Sequence, residues 1–117
     1  MAAVTIYHNP RCTKSRQALA VADELDVEFE VVRYLDDPPD AATLREIVAK
    51  LDGPVEDLVR REKWDELGVT QADVATAGGV VDVLVRHPEL LQRPLLVTAD
   101  TAVIGRPTER ARAVLAS

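Results

Sequence analysis

Two short β-prone runs bracket a single helical stretch at the start of the chain, and that order leaves few ways to fold. Val4, Thr5, Ile6 and Tyr7 form the first run, which Asn9-Pro10 closes. From Thr13 to Leu25 the apolar residues Ala18, Leu19, Ala22 and Leu25 recur at helical spacing. EFEVVRYL, residues 28–35, is rich in β-branched and aromatic side chains and reads as a second strand. Asp36-Asp37-Pro38-Pro39 ends it, because consecutive prolines cannot continue a ladder. Two strands joined through a helix imply a parallel crossover, which is almost always right-handed.

The far end reads differently. RPLLVTADTAVIG, residues 93–105, holds two apolar runs around an Ala-Asp-Thr turn and predicts a β-hairpin. Pro107 suits the first turn of a final helix ending near Leu115. The middle is helical. Residues 40–51 carry the stripe Leu44, Ile47, Val48 and Leu51, with Thr43 and Glu46 at capping-box spacing, and Gly53-Pro54 breaks the pattern. Short helical pieces are expected over 55–62 and 63–67, the second closed by Gly68. Thr70 can cap a further turn, and residues 78–86 carry Val80, Val81, Val83 and Leu84 toward a core. The order is β-α-β, a helical block, then β-β-α. This predicts an α/β, thioredoxin-like fold: a mixed sheet of about four strands with a helical insert between its halves. At 117 residues the chain suits one domain, read as residues 1–117, and 47% hydrophobic residues can supply its core.

Composition removes several functions. A net charge of −6 argues against nucleic acid as a partner. No apolar run approaches the ~20 residues that span a bilayer, and MAAVTIYHNP has neither a basic leader nor a long hydrophobic region. A single cysteine cannot close an internal disulfide, so a reducing, cytoplasmic setting is expected. Neither a cysteine/histidine cluster nor a glycine-rich phosphate loop is visible, so no metal and no bound cofactor are expected.

That one cysteine, Cys12, lies in HNPRCTKSR, residues 8–16, where the first strand meets the first helix. Free N–H groups and the positive end of the dipole favour an anion at a helix start, and a thiolate is one. Arg11, Lys14 and Arg16 add positive charge, and the hydroxyls of Thr13 and Ser15 can donate to sulfur or cap the helix. The alternative is a small buried hydrophobe, the commoner fate of lone cysteines, but such residues sit among apolar neighbours. His8 could stabilise the thiolate as imidazolium or merely end the strand.

TIYHNPRCTKSR resembles the N-terminal signature of the glutaredoxin-linked arsenate reductases. The likeness continues through YLDDPPD (34–40), LVRR (58–61), LG (67–68), HPELLQRPLLVT (87–98) and IGRPTE (104–109). The resemblance implies that Cys12 attacks arsenate, that Arg60, Arg93 and Arg106 bind the oxyanion, and that His8 and Ser15 help to lower the cysteine pKa. Without it each arginine would read as a surface charge, and Arg60 and its neighbour Arg61 are not told apart. Arg33, Arg86 and Arg112 match no role, and Trp64 reads as packing. The Arg93-Pro94 bond falls where thioredoxin-like folds usually carry a cis-proline. The chain ends sooner than some family members, and residues 11, 13 and 14 differ from the best-known ones, yet no matched catalytic residue is lost. The implied activity is reduction of arsenate to arsenite by a monomer, with glutathione or another low-molecular-weight thiol as co-substrate and a glutaredoxin-like protein as reductant. Two competitors are a thiol-redox transcriptional regulator, whose usual Cys-x-x-Cys is here Cys-x-x-Ser, and a monothiol disulfide oxidoreductase. A different oxyanion substrate is a third.

Overall fold

The computed structural model describes residues 3–117, so Met1 and Ala2 of the N-terminal run lie outside the described residues. The first unit is strand β1 (Val4–His8), helix α1 (Thr13–Glu24) and strand β2 (Phe29–Arg33). Helix α2 (Ala41–Ala49), the short α3 (Trp64–Leu67) and α4 (Ala77–Arg86) form the middle, with 3-10 turns at Val55–Leu58, Gln71–Val74 and Pro88–Leu90. Strands β3 (Leu95–Val97) and β4 (Ala102–Ile104) and helix α5 (Thr108–Ala116) complete the chain. The sheet order is β2-β1-β3-β4, with β1 parallel to β2 and antiparallel to β3, and β3 antiparallel to β4. This is the expected mixed sheet of four strands with a helical insert.

Alternating side chains serve two cores. Val4 and Ile6 of β1 and Leu96 of β3 face α1 and α5, where Ala18, Ala22 and Ala111 let the helices approach closely. Tyr7 and Leu95 point to the other face, into a larger core with Leu44, Ile47, Val80 and Leu84 of α2 and α4. Among the described residues no helix is long and apolar enough to cross a membrane.

Several boundaries move for local reasons. β2 stops at Arg33 because the Asp36 and Asp37 amides both donate to the Arg33 carbonyl, forming a turn before the prolines begin. The N-cap of α2 is Asp40, whose Oδ1 accepts from the Thr43 amide at 2.8 Å, so the Thr43–Glu46 spacing is not the cap. Only residues 55–58 of the 55–62 piece are helical. Beyond them Arg60 N donates to Leu90 O (2.7 Å) and Gln92 N donates to Leu58 O (2.9 Å), holding the segment extended. Thr70 does cap a turn, sharing a reciprocal box with Asp73. α4 begins one residue earlier than read, at Ala77, with Thr76 Oγ1 accepting from Gly79 N. Pro107 precedes α5 as its N-cap instead of entering the first turn.

The register brings distant residues to one end of the sheet. Tyr7 of β1 lies beside Leu95 of β3, and Leu95 beside Ile104 of β4. The segments after β1, before β3 and after β4 therefore meet. They carry Cys12, Arg93 and Arg106.

Candidate active site

The cysteine turn is built from its own neighbours. Cys12 N donates to Asn9 O (3.0 Å), and Arg11 N donates to Asn9 Oδ1 (2.9 Å). Asn9 thus folds the turn with both its carbonyls. Cys12 is the N-cap of α1, extended at φ −93° and ψ 122°, so its sulfur lies over the free N–H groups of the first helical turn. The residue is 8% exposed, which leaves the sulfur sheltered.

Burial alone would push the Cys12 thiol up. The Ser15 amide, the Arg93 guanidinium and the Arg106 charge outweigh it and hold the thiol below its ordinary value. The sources differ from those read in the sequence. Ser15 meets the sulfur through its backbone N–H; its hydroxyl accepts from Asn9 N at 3.0 Å and lies 2.7 Å from His8 Nδ1. Thr13 Oγ1 accepts from Arg16 Nη2 (3.2 Å), and Arg16 Nη1 donates to Pro10 O (2.8 Å). Neither hydroxyl donates to sulfur or caps the helix, and the cations that lower the thiol come from the other end of the chain.

His8 is buried, and its ring is biased away from the proton by burial first and then by Arg33 and Arg16. That bias favours the neutral ring, whose Nδ1 lies against the Ser15 hydroxyl and braces the turn. Arg33, which matches no role in the sequence, is one of the charges that His8 feels.

Arg106 reaches the thiol directly. Its Nη2 donates to Cys12 Sγ at 3.2 Å, and its Nε donates to the Arg93 carbonyl at 2.7 Å. Both Arg93-Pro94 and Arg106-Pro107 are cis; the first matches the expectation, and the second had no sequence signal. Gly105 N donates to Pro94 O (2.9 Å), and a Cβ at position 105 would lie 2.8 Å from Leu96 Cδ1 and 3.0 Å from Pro94 Cγ. A side chain at 105 would have to displace the Leu96 and Pro94 side chains, so glycine eases the approach of the segment carrying Arg106 to the one carrying Arg93.

Arg60 makes its side-chain contact with Glu62. Its backbone is fixed by Leu90 and by Trp64 Nε1, which donates to Arg60 O at 2.7 Å. It lines a cleft of about 390 Å³ with Gln92, Ile104 and Arg106. Arg61 borders the same cleft, but its guanidinium bonds Gln71 (2.9 Å) and lies 4.8 Å from the Trp64 ring centre. Trp64 therefore packs, as read, and orders both arginines as well.

Two features escaped the sequence reading. Glu62 on Arg60 has no motif to announce it. Tyr34, which lies within YLDDPPD, is completely buried with its hydroxyl beside the Arg93 and Asn9 side chains. Among the described residues no three histidine, cysteine, aspartate or glutamate side chains gather as a metal site.

A sheltered thiol at the start of the first helix of a β2-β1-β3-β4 sheet with helices on its faces defines a thioredoxin-like protein, here with Arg93 and Arg106 at the sulfur. More narrowly, the chain belongs to the ArsC family, whose model matches residues 7–114. It is 39% identical to an arsenate reductase of Neisseria meningitidis serogroup A, over 98% of this chain and all of that protein. An Escherichia coli arsenate reductase is 35% identical over 93% of this chain and 78% of its own length. Among solved structures, an arsenate reductase from Vibrio cholerae superposes with a TM-score of 0.81 at 30% identity, covering 97% of this chain and 98% of that one.

Proposed function

We propose that this protein reduces arsenate to arsenite through a covalent adduct on Cys12, with electrons from an external thiol and a glutaredoxin-type protein. The observation that carries the reading is the 3.2 Å contact between Arg106 Nη2 and Cys12 Sγ, which sets a forked cation beside a nucleophile. The similarity to arsenate reductases across nearly the whole chain supports the choice of oxyanion.

The Cys12 thiolate attacks arsenic; an S–As bond forms and a hydroxide leaves as water after taking a proton. Arg106, Arg93 and Arg60 hold the arsenate oxygens, and the helix start adds amide donors. A thiolate such as that of glutathione then attacks the Cys12 sulfur. An S–S bond forms, the S–As bond breaks, and its electron pair stays on arsenic, which departs as arsenite. Glutaredoxin removes the glutathione from Cys12 and restores the thiolate. Two electrons are needed, and one cysteine cannot supply them by an internal disulfide.

The test is a coupled NADPH assay with arsenate, glutathione, glutathione reductase and glutaredoxin. Turnover that requires arsenate and added thiol, and that Cys12→Ser abolishes without loss of folding, supports the reading. Turnover of a glutathionylated substrate with no arsenate dependence makes the protein a disulfide oxidoreductase. Sustained arsenite formation by the reduced protein alone refutes the mechanism.

A further inference from the structure

The cleft beside the thiol is larger than arsenate alone requires. Its volume of about 390 Å³ lies within the ~300–1,000 Å³ of pockets that take whole small-molecule ligands, and a single tetrahedral oxyanion fills only part of it. Arg106 belongs to both places: it lines the cleft, and its Nη2 donates to the Cys12 sulfur. Arg110 lines the cleft too, about one turn of chain further on, at the start of α5. With Arg60 and Arg61, a chain of net charge −6 thus gathers four arginines on one cleft. They are not equally engaged. Arg106 is held by the sulfur and the Arg93 carbonyl, Arg60 by Glu62, and Arg61 by Gln71 and the Trp64 ring. The Arg110 guanidinium is held least. Among the described residues its polar contacts are to Asp52, with O at 3.4 Å and Oδ2 at 3.7 Å, both longer than a good hydrogen bond, and the side chain is 42% exposed.

We infer that this cleft seats the thiol that attacks the Cys12 adduct, and that Arg110 holds a carboxylate of that thiol. The lining sets the ligand class: a low-molecular-weight thiol built on amino acids, with a free carboxylate several bonds from its sulfur. Arg110 offers the carboxylate a planar fork of N–H donors. Glu56 and Asp57 in the same lining supply the opposite charge that an α-ammonium group requires. Anchored at Arg110, the thiol points along the cleft toward Arg106 and the sulfur, and its attack gains the advantage of a pre-positioned reactant. The chemical step is the one already written: an S–S bond forms, the S–As bond breaks, and its electron pair stays on arsenic. The inference rests on the reductase reading for that step and adds where the attacking thiol is bound.

The experiment needs no arsenate. Cys12 is first capped with 2,2′-dipyridyl disulfide, and release of pyridine-2-thione is followed as a thiolate attacks the Cys12 sulfur: one S–S bond forms, the old one breaks, and the leaving group takes up a proton. Glutathione is compared with its diethyl ester, which keeps the thiol and the ammonium but has no free carboxylate. The proteins are wild type, Arg110→Gln and Arg112→Gln, at one pH and one ionic strength. Arg112 is the control, since it lies on the same helix and pairs with Glu24. Arg110→Gln should slow glutathione about two- to five-fold, the size of one partly exposed ion pair, and leave the ester unchanged. Arg112→Gln should alter neither. An Arg110→Gln that slows both thiols equally, or neither, overturns the inference. So does an Arg112→Gln that matches it, because the general charge of the protein would then suffice. Arsenate kinetics are read separately. A protein with the expected thiol selectivity that reduces no arsenate refutes the reductase reading and leaves the thiol subsite standing.

Discussion

The thiol turn and the arginine pair meet at one sulfur but are held in opposite ways. Every bond that shapes the turn joins residues close in sequence: Ser15 to His8 and Asn9, and Asn9 to Arg11 and Cys12. Arg106 reaches Cys12 across 94 positions, carried there by the register of β1, β3 and β4 and by the missing Cβ of Gly105. Local bonds thus fix where the sulfur is and, through the Ser15 amide, begin to lower its pKa, while the arginines that tertiary packing brings lower it further. The two should therefore fail separately.

The largest effect is expected at Arg106. Arg106→Gln removes a charge-assisted hydrogen bond worth about 1.5–3 kcal/mol, which is on the order of ten- to a hundred-fold in kcat/KM for arsenate. The thiol should titrate higher while the melting temperature stays close to wild type, and Arg106→Lys should recover only part of the loss. Steady-state kinetics with a thermal melt check this.

Ser15→Ala breaks the other half. It leaves the Asn9 amide and His8 Nδ1 without their partner, a cost of about 1–3 kcal/mol in stability. The Ser15 amide remains, so the thiol titration should move less than in Arg106→Gln. Urea unfolding and the alkylation profile decide it; a larger thiol shift in Ser15→Ala than in Arg106→Gln would collapse the distinction.

Arg60 should give a smaller loss than Arg106, seen in KM more than in kcat, because its guanidinium must leave Glu62 to meet substrate. Arg61→Gln, which takes its charge from Gln71 and Glu56 instead, should change arsenate kinetics little.

The smallest effect is the acid limb of stability. His8 titrates lower in the folded chain than in the unfolded one, so the unfolded chain takes up the proton first. The stability that neutral His8 contributes is full above about pH 6.5 and is lost as pH falls through the folded value. His8→Asn should flatten that limb in melts between neutral and mildly acidic pH.

What could be read from the sequence follows the same division. The β-α-β order, the hairpin and the reactive thiol rest on neighbours, and periodicity and local chemistry reach them. The Ser15 amide that lowers the thiol is local too, but the cations that do so are not: Arg11, Lys14 and Arg16 are adjacent in sequence, yet Arg16 turns back onto Pro10 while Arg93 and Arg106 arrive through the sheet. The resemblance to a known family named those two arginines, but spacing alone could not. Nothing in YLDDPPD marks Tyr34 as fully buried, since burial is a tertiary fact. The different partners of Arg60 and Arg61, Glu62 for the first and Gln71 with the Trp64 ring for the second, are likewise tertiary facts.

The strand order also sets when in its own synthesis the protein acquires its chemistry. β1 and its cysteine leave the ribosome before β3, and β1 cannot pair with β3 until residues 95–97 have been made. Arg106 comes later still. Until then the nascent chain carries a cysteine with neither arginine beside it, a thiol that stays mostly protonated near neutral pH. The arginines reach the sulfur only once β3 and β4 can join the sheet. Completion of the sheet is thus also the step that adds their charge to the thiol's surroundings.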